Sequence, residues 1–203
     1  MAKVPPVPGS TPPVGKRIPL AYLPTMRWIF ALLFLWPASV AANDWDALEQ
    51  LGAMAIMRHA LAPGTGDPAD FRLDDCTTQR NLDARGRNQA RAIGAALRGR
   101  AIVFDVVLTS QWCRTRETAE LLGLAEVVDA PELNSFFQDF ARRDVQTRAA
   151  LDLLSRTEGR AILLSHQVNI SALTGQGTHS GEVLVIRMSE GKVEVLGTIL
   201  LDP

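Results

Sequence analysis

Three apolar runs in the sequence each lead into residues that can bind or attack phosphorus. Residues 53–57 run into Arg58-His59, residues 102–108 into Thr109-Ser110 with Arg114 close behind, and residues 161–164 into Ser165-His166. An arginine offers paired N–H donors to an oxyanion, and a neutral imidazole has a lone pair that can act as a nucleophile. Two of each, brought together, suit a doubly charged phosphoryl group. Taken singly, each residue is ordinary: Arg114 reads as a helix-surface cation, and His59 and His166 as surface or core histidines. The third histidine, His179, reads as a loop residue.

The three positions are equivalent only if the runs are strands of one sheet. Residues 53–57 predict a short buried strand after a helical-looking stretch at 44–51. Residues 60–82 are rich in Gly, Pro, Asp and Thr and predict a long loop, of the kind that is either functional or disordered. Residues 83–99 predict a helix with Asp83 as N-cap and Ala90, Ile93, Ala96 and Leu97 on its buried side. Further strands are expected at 102–108, 127–128, 161–164, 183–188 and 193–200, and helices at 113–122, 139–156 and 168–173. Strands alternating with helices imply an α/β fold, a three-layer α/β/α sandwich with a mainly parallel central sheet. Ligands on such sheets bind beyond the carboxyl ends of the strands, which is where these side chains converge.

Four segments carry a resemblance. Met57-Arg58-His59-Ala60 resembles the RHG motif of the histidine phosphatase (phosphoglycerate mutase-like) superfamily. Residues 82–90, from Leu82 through Gly86 to Gln89 and Ala90, resemble its L-T-x-x-G-x-x-Q-A segment. Ser110, Arg114, Thr115, Thr118 and Ala119 fall on its S-x-x-x-R-T-x-x-T-A segment, and Leu164-Ser165-His166 on the strand bearing its second histidine. The resemblance spans most of residues 53–200 and implies a phosphoglycerate mutase-like fold. It implies that His59 attacks phosphorus to form a phosphohistidine, while Arg58, Arg114 and His166 bind the phosphoryl oxygens. It implies no metal and no cofactor. Arg80 resembles an arginine of the small bacterial phosphohistidine phosphatases and would line the pocket rim as a substrate-binding residue.

Two positions depart from the family pattern. Ala60 replaces the glycine of RHG, adding a methyl group where backbone approaches substrate. Ser135, in Leu133-Asn134-Ser135, stands where many members carry a glutamate acting as general acid. A serine is a poor proton donor at neutral pH. Glu132, Asp139 and Asp67 are the candidate replacements, and each also reads as a solvated surface acid. Without a strong acid, good leaving groups are favoured: acyl phosphates, phosphoramidates or pyrophosphates.

The rest of the chain bounds location and partners. Residues 1–42 hold eight of the twelve prolines, four cations and no acid. Residues 28–40 form an apolar run of 13 with positive charge before it and small residues after it. This is the layout of a signal peptide at 26–42, followed by a histidine phosphatase domain at 43–203. An uncleaved signal anchor is the alternative. Residues 1–25 read as a Pro-rich extension ahead of a natural start at Met26. In an exported chain Cys76 and Cys113, the two cysteines, can form a disulfide or remain free thiols. A net charge of -1 and 6% aromatics argue against nucleic-acid partners. The expected activity is an exported phosphatase of a small molecule or envelope glycan, touching membrane only through its signal. The alternatives are a non-catalytic phospholigand-binding module of the same fold and a disulfide-stabilised interaction protein.

Overall fold

A computed structural model describes residues 43–201 and the isolated positions 1, 9 and 15. The expected signal segment and, apart from those three positions, the Pro-rich extension lie outside the described residues. Among the described residues no helix is long and apolar enough to cross a membrane.

The chain forms β1 (Met54–Arg58), α1 (Ala84–Gly99), β2 (Val106–Thr109), α2 (Cys113–Leu122) and β3 (Val127–Asp129). It continues through α3 (Arg143–Arg156), β4 (Ala161–Ser165), α4 (Gln167–Thr174), β5 (Val183–Ser189) and β6 (Lys192–Ile199). The six strands make one sheet in the order β3-β2-β4-β1-β5-β6. The first four lie parallel; β5 runs antiparallel to β1, and β6 to β5. The sheet is thus mixed, with the parallel strands carrying the expected site.

Alternating side chains feed two apolar layers. On one face Ala55, Met57, Val107, Ile162 and Leu164 pack with Ile93 and Leu97 of α1 and Ala119 and Leu122 of α2. On the other, Ile56, Leu108 and Leu163 pack with Leu153 and Leu154 of α3 and Ile170 of α4. Burial on both faces is why these strands read as continuous apolar runs. The helices α1 and α2 approach so closely at Gly94 that a Cβ there would lie 2.0 Å from the Leu122 carbonyl oxygen.

Three expected elements differ in extent. The stretch at 44–51 is a 3-10 turn, Trp45–Glu49. The strand expected from 102 begins only at Val106. Its neighbour β4 begins at Ala161, opposite Val106, so residues 102–104 have no strand to pair with, and Val103 is exposed. The helix expected from 139 starts as a 3-10 turn at Phe140–Arg142 and becomes α-helical at Arg143.

Candidate active site

The site grows from the carboxyl end of β1. The His59 amide donates to the Ser165 carbonyl of β4 at 3.1 Å, and the next amide, Ala60, donates to Thr118 Oγ1 on α2 at 3.1 Å. Thr118 in turn donates to the Arg114 carbonyl at 2.7 Å. The Leu61 amide donates to Gln89 Oε1 on α1 at 2.9 Å, and Gln89 Nε2 donates to the Ser180 carbonyl. Gly86 leaves room for this turn, since a Cβ there would lie 1.9 Å from the Leu61 carbonyl oxygen. The Gly, Gln and Thr of the sequence motifs therefore act through backbone: they fix the chain immediately after His59. Ala60 is fully buried and does not adopt a positive φ, so its methyl group costs no backbone strain.

Hydrogen bonding sets the form of both imidazoles. His59 Nδ1 lies 2.7 Å from the Ala60 carbonyl oxygen. A carbonyl only accepts, so Nδ1 carries the proton and Nε2 presents its lone pair. Arg114 Nε donates to that Nε2 at 3.3 Å. His166 Nε2 is 2.8 Å from Ser110 Oγ, and its Nδ1 lies 3.5 Å from Arg114 Nη2. Burial and the Arg114 charge push both histidines well below the usual imidazole range, so both are neutral at pH 7.

Around the histidines lies a cavity of about 190 Å³ that also takes in Arg58, Arg80, Arg114 and Asp67. Arg58 spends Nη1 on the Thr178 carbonyl at 3.1 Å, while its buried Nε has no partner. Arg80 donates Nε to the Gly66 carbonyl at 2.8 Å and Nη1 to the Ala62 carbonyl. Burial and then Arg114 lower both arginines, Arg80 to about 10, and both stay cationic at neutral pH. Asp67 faces Arg114 with both oxygens, at 2.7 and 3.2 Å, and also accepts from Trp112 Nε1 and the Arg80 amide. Burial pushes the Asp67 carboxyl up, but Arg114, the Arg80 amide and the Trp112 indole together hold it below the usual carboxylate range.

Arg58, His59, Arg80, Arg114 and His166 thus line one cavity. Of the candidate acids only Asp67 joins them. Glu132 pairs with Arg156, and neither it nor Asp139 lines the cavity. The 3-10 turn Pro131–Leu133 buries Leu133 and turns Glu132 toward α3. Asp67 is inside, but as an ionised carboxylate saturated by donors. Ser135 lines the cavity, its hydroxyl oxygen accepting from the Phe137 amide at 3.2 Å. Sequence reading missed three contributors: Ser110 as the partner of His166, and Trp112 and Phe137 as walls. Ser110 sits inside a recognised motif and could have been found there. Phe137 lies in a stretch without periodicity.

Cys76 and Cys113 are joined, with Cα atoms 5.7 Å apart. The bond ties the long loop to the first residue of α2, next to Arg114. Gln79 Oε1 reinforces it by accepting from the Cys113 amide at 3.0 Å. Among the described residues no cluster of three or more His, Cys, Asp and Glu could hold a metal ion.

The family model of the histidine phosphatase superfamily (branch 1) matches residues 55–136, the stretch from β1 to the wall of the cavity. Over this stretch the chain is similar to that superfamily. An uncharacterized protein of Picosynechococcus sp. is 31% identical over 119 residues, covering 57% of this chain and 66% of that protein, just under two thirds of its length. A candidate phosphohistidine phosphatase, SixA, from Agrobacterium tumefaciens has a similar fold (TM-score 0.52, 19% identity, 74% of this chain and 99% of that one). So does a candidate α-ribazole-5′-P phosphatase from Escherichia coli (TM-score 0.51, 20% identity, 70% and 93%). A phosphoserine phosphatase from Entamoeba histolytica, solved with 3-phosphoglyceric acid, matches at TM-score 0.53 and 12% identity over 73% of this chain and 97% of that one. At these identities the solved structures establish the fold, a phosphoglycerate mutase-like α/β sandwich.

Proposed function

We propose that the protein is an exported, metal-independent phosphatase that removes a phosphoryl group from a small molecule or glycan through a phosphohistidine at His59. One observation carries this reading: His59 Nε2 presents its lone pair into the cavity, with Nδ1 held by the Ala60 carbonyl and Arg58, Arg114 and His166 around it.

The residues divide the work as follows. Arg58, through its unpartnered Nε, and Arg114 draw the phosphoryl oxygens toward the ring, and His166 completes the cradle. His59 Nε2 attacks phosphorus, the bond to the leaving oxygen breaks, and that oxygen departs with the electron pair. Water then attacks phosphorus and the P–N bond breaks. The pair returns to Nε2, and phosphate is released. The Nδ1 proton stays on the ring throughout, donated to the Ala60 carbonyl, which leaves Nε2 unprotonated and the ring oriented.

The leaving group receives little help. Of the candidate acids only Asp67 reaches the cavity, and it is ionised at neutral pH. On leaving-group acidity alone the candidates are acyl phosphates, phosphoramidates, pyrophosphates and aryl phosphates. Export is supported by the disulfide, since such bonds persist in oxidising compartments. The membrane role is then confined to the N-terminal signal, and no nucleic-acid partner is expected.

The test is release of nitrophenolate from p-nitrophenyl phosphate by the full chain beside His59→Ala. Release that disappears in the variant, with an acid-labile phosphoenzyme trapped by rapid quench, is the expected result. Phosphate binding without turnover by either protein would replace the phosphatase with a phospholigand-binding module.

A further inference from the structure

We infer that the outer half of the cavity is a subsite for an uncharged, apolar, ring-bearing leaving group, with Phe137 as its main contact. The inference rests on the phosphatase reading of the inner half. Depth orders the cavity. His59 is 2% exposed and Arg114 and His166 are each 3% exposed, whereas Phe137 on the same cavity wall is 43% exposed. A group leaving phosphorus for solvent therefore passes Phe137.

The cavity wall around Phe137 is mostly uncharged. Its side chains are Thr65, Ser135, Phe137, Gln138, Gln167 and Val168. The charged residues lining the cavity are either engaged or assigned to the phosphoryl group: Asp67 pairs with Arg114, Arg58 gives Nη1 to the Thr178 carbonyl and Nε to the phosphoryl oxygens, and Arg80 gives Nε and Nη1 to the Gly66 and Ala62 carbonyls. A second phosphate or a carboxylate on the leaving group would find no cation of its own, and burying it there would be costly. A polyol finds one amide of this wall, that of Gln167, already committed. The Gln167 amide is spent, its Oε1 accepting from the Thr178 amide and hydroxyl at 3.0 Å and its Nε2 donating to Ser171 at 2.9 Å.

An aromatic ring is what the wall can receive. Phe137 Cε1 would lie 3.7 Å from a Cβ at Gly66, so its edge is seated over the glycine turn. Phe140 meets it edge-on at 6.0 Å and 60°. The ring is braced on two sides with part of its surface open, and Val168 adds aliphatic surface to the same wall. Offset or edge-on contact with a second ring suits that arrangement.

The test compares leaving groups of nearly equal acidity and unequal ring area, phenol and 2-naphthol. With the full chain, kcat/KM for 2-naphthyl phosphate should exceed that for phenyl phosphate about five- to tenfold, from the extra ring area buried. The same preference should appear in binding of the corresponding arylphosphonates, which requires no turnover. Phe137→Ala should cut the preference to about twofold, and Phe137→Leu should restore part of it. Equal values for the two rings, a preference untouched in Phe137→Ala, or tighter binding of a sugar phosphate or a carboxylate-bearing phosphonate would overturn the subsite. Ring-selective binding with no turnover of any ester would overturn the phosphatase reading and leave the subsite standing.

Discussion

Replacing Asp67 with asparagine tests what the buried carboxylate is for. Asp67 and Arg114 are 5% and 4% exposed at the side chain, and the carboxylate meets the guanidinium in two parallel contacts. Removing one partner of a buried pair costs about 3–5 kcal/mol. Asparagine keeps the shape and one acceptor oxygen, so the loss should be smaller, about 2–3 kcal/mol. For a domain of this size that lowers Tm by roughly 4–12 °C. The effect must depend on pH in one direction. The folded-state pKa of Asp67 is depressed, so its contribution is present above the unfolded carboxylate value. It is lost as pH falls through the folded one. The stability gap between wild type and Asp67→Asn should therefore be full above the unfolded carboxylate value and close as pH falls through the lower folded one.

The kinetic readout separates a positioning residue from an acid. If Asp67 holds Arg114 in place, the variant loses kcat/KM by about 10- to 100-fold, and by the same factor for phenyl phosphate and for an alkyl phosphate. If Asp67 delivers the leaving-group proton, the alkyl ester suffers far more than the aryl ester, because its oxygen is the stronger base. Steady-state kinetics on the two esters, at one pH and with thermal melts alongside, decide the matter. A loss confined to the alkyl ester would refute the assignment of Asp67 as the partner of Arg114 and nothing more.

Burial and the Arg114 charge keep His59 and His166 neutral well below pH 6.5, so kcat/KM should hold its plateau through that value and fall only at more acidic pH; an inflection at 6.5 or above in the pH profile would contradict the geometry. The same depressed values mean that folding excludes protons at both rings, and stability should decline as pH drops below about 6.5. Reducing the Cys76–Cys113 bond opens a loop with a sequence separation of 37 and should cost about 3–4 kcal/mol in the chain-entropy account, read as a lower Tm with dithiothreitol or in Cys76→Ser. Gly94→Ala places a Cβ 2.0 Å from the Leu122 carbonyl oxygen and should destabilise by about 3 kcal/mol in denaturant titration. Gly86→Ala drives the chain after His59 away from α1 and should cost a comparable amount of stability, with a loss of turnover that Gly94→Ala, in the α1–α2 contact, does not share.

Sequence alone reaches the site where local pattern and strand ends coincide. The runs ending at Arg58, Thr109 and Ser165 are buried on both faces, so their continuous apolar character marked them as neighbouring strands. The Asp83 cap was legible from its place before the helix, and its carboxylate accepts from the Gly86 amide at 2.8 Å. What escaped depends on long-range contacts. Asp67 meets Arg114 across a separation of 47 residues, from a loop with no periodicity to locate it. The start of β2 escaped because Ile102 and Phe104 are buried without a partner strand; they read as strand residues but pack as a connection. Glu132 was drawn toward the site by its nearness to Ser135, yet the intervening 3-10 turn sends the two side chains to different surroundings.

The charges explain why the site needs so much support. Arg58, Arg80 and Arg114 share one small cavity with one carboxylate, leaving an excess of two positive charges, the complement of a phosphoryl dianion. Without that dianion the guanidiniums repel, which is why Arg114 lowers both Arg58 and Arg80. Burial and the same field keep His59 unprotonated, so the charge that would bind substrate also helps preserve the nucleophile. A pocket with this excess tends to spread, and the restraints lie where spreading would begin. Asp67 clamps Arg114, the disulfide anchors the start of α2, and Thr118 and Gln89 hold the turn after His59. Substrate therefore meets an array whose repulsion has already been offset by folding, so phosphate binding relieves it. On this account, weakening any one restraint should raise KM for a phosphate ester as well as lower stability.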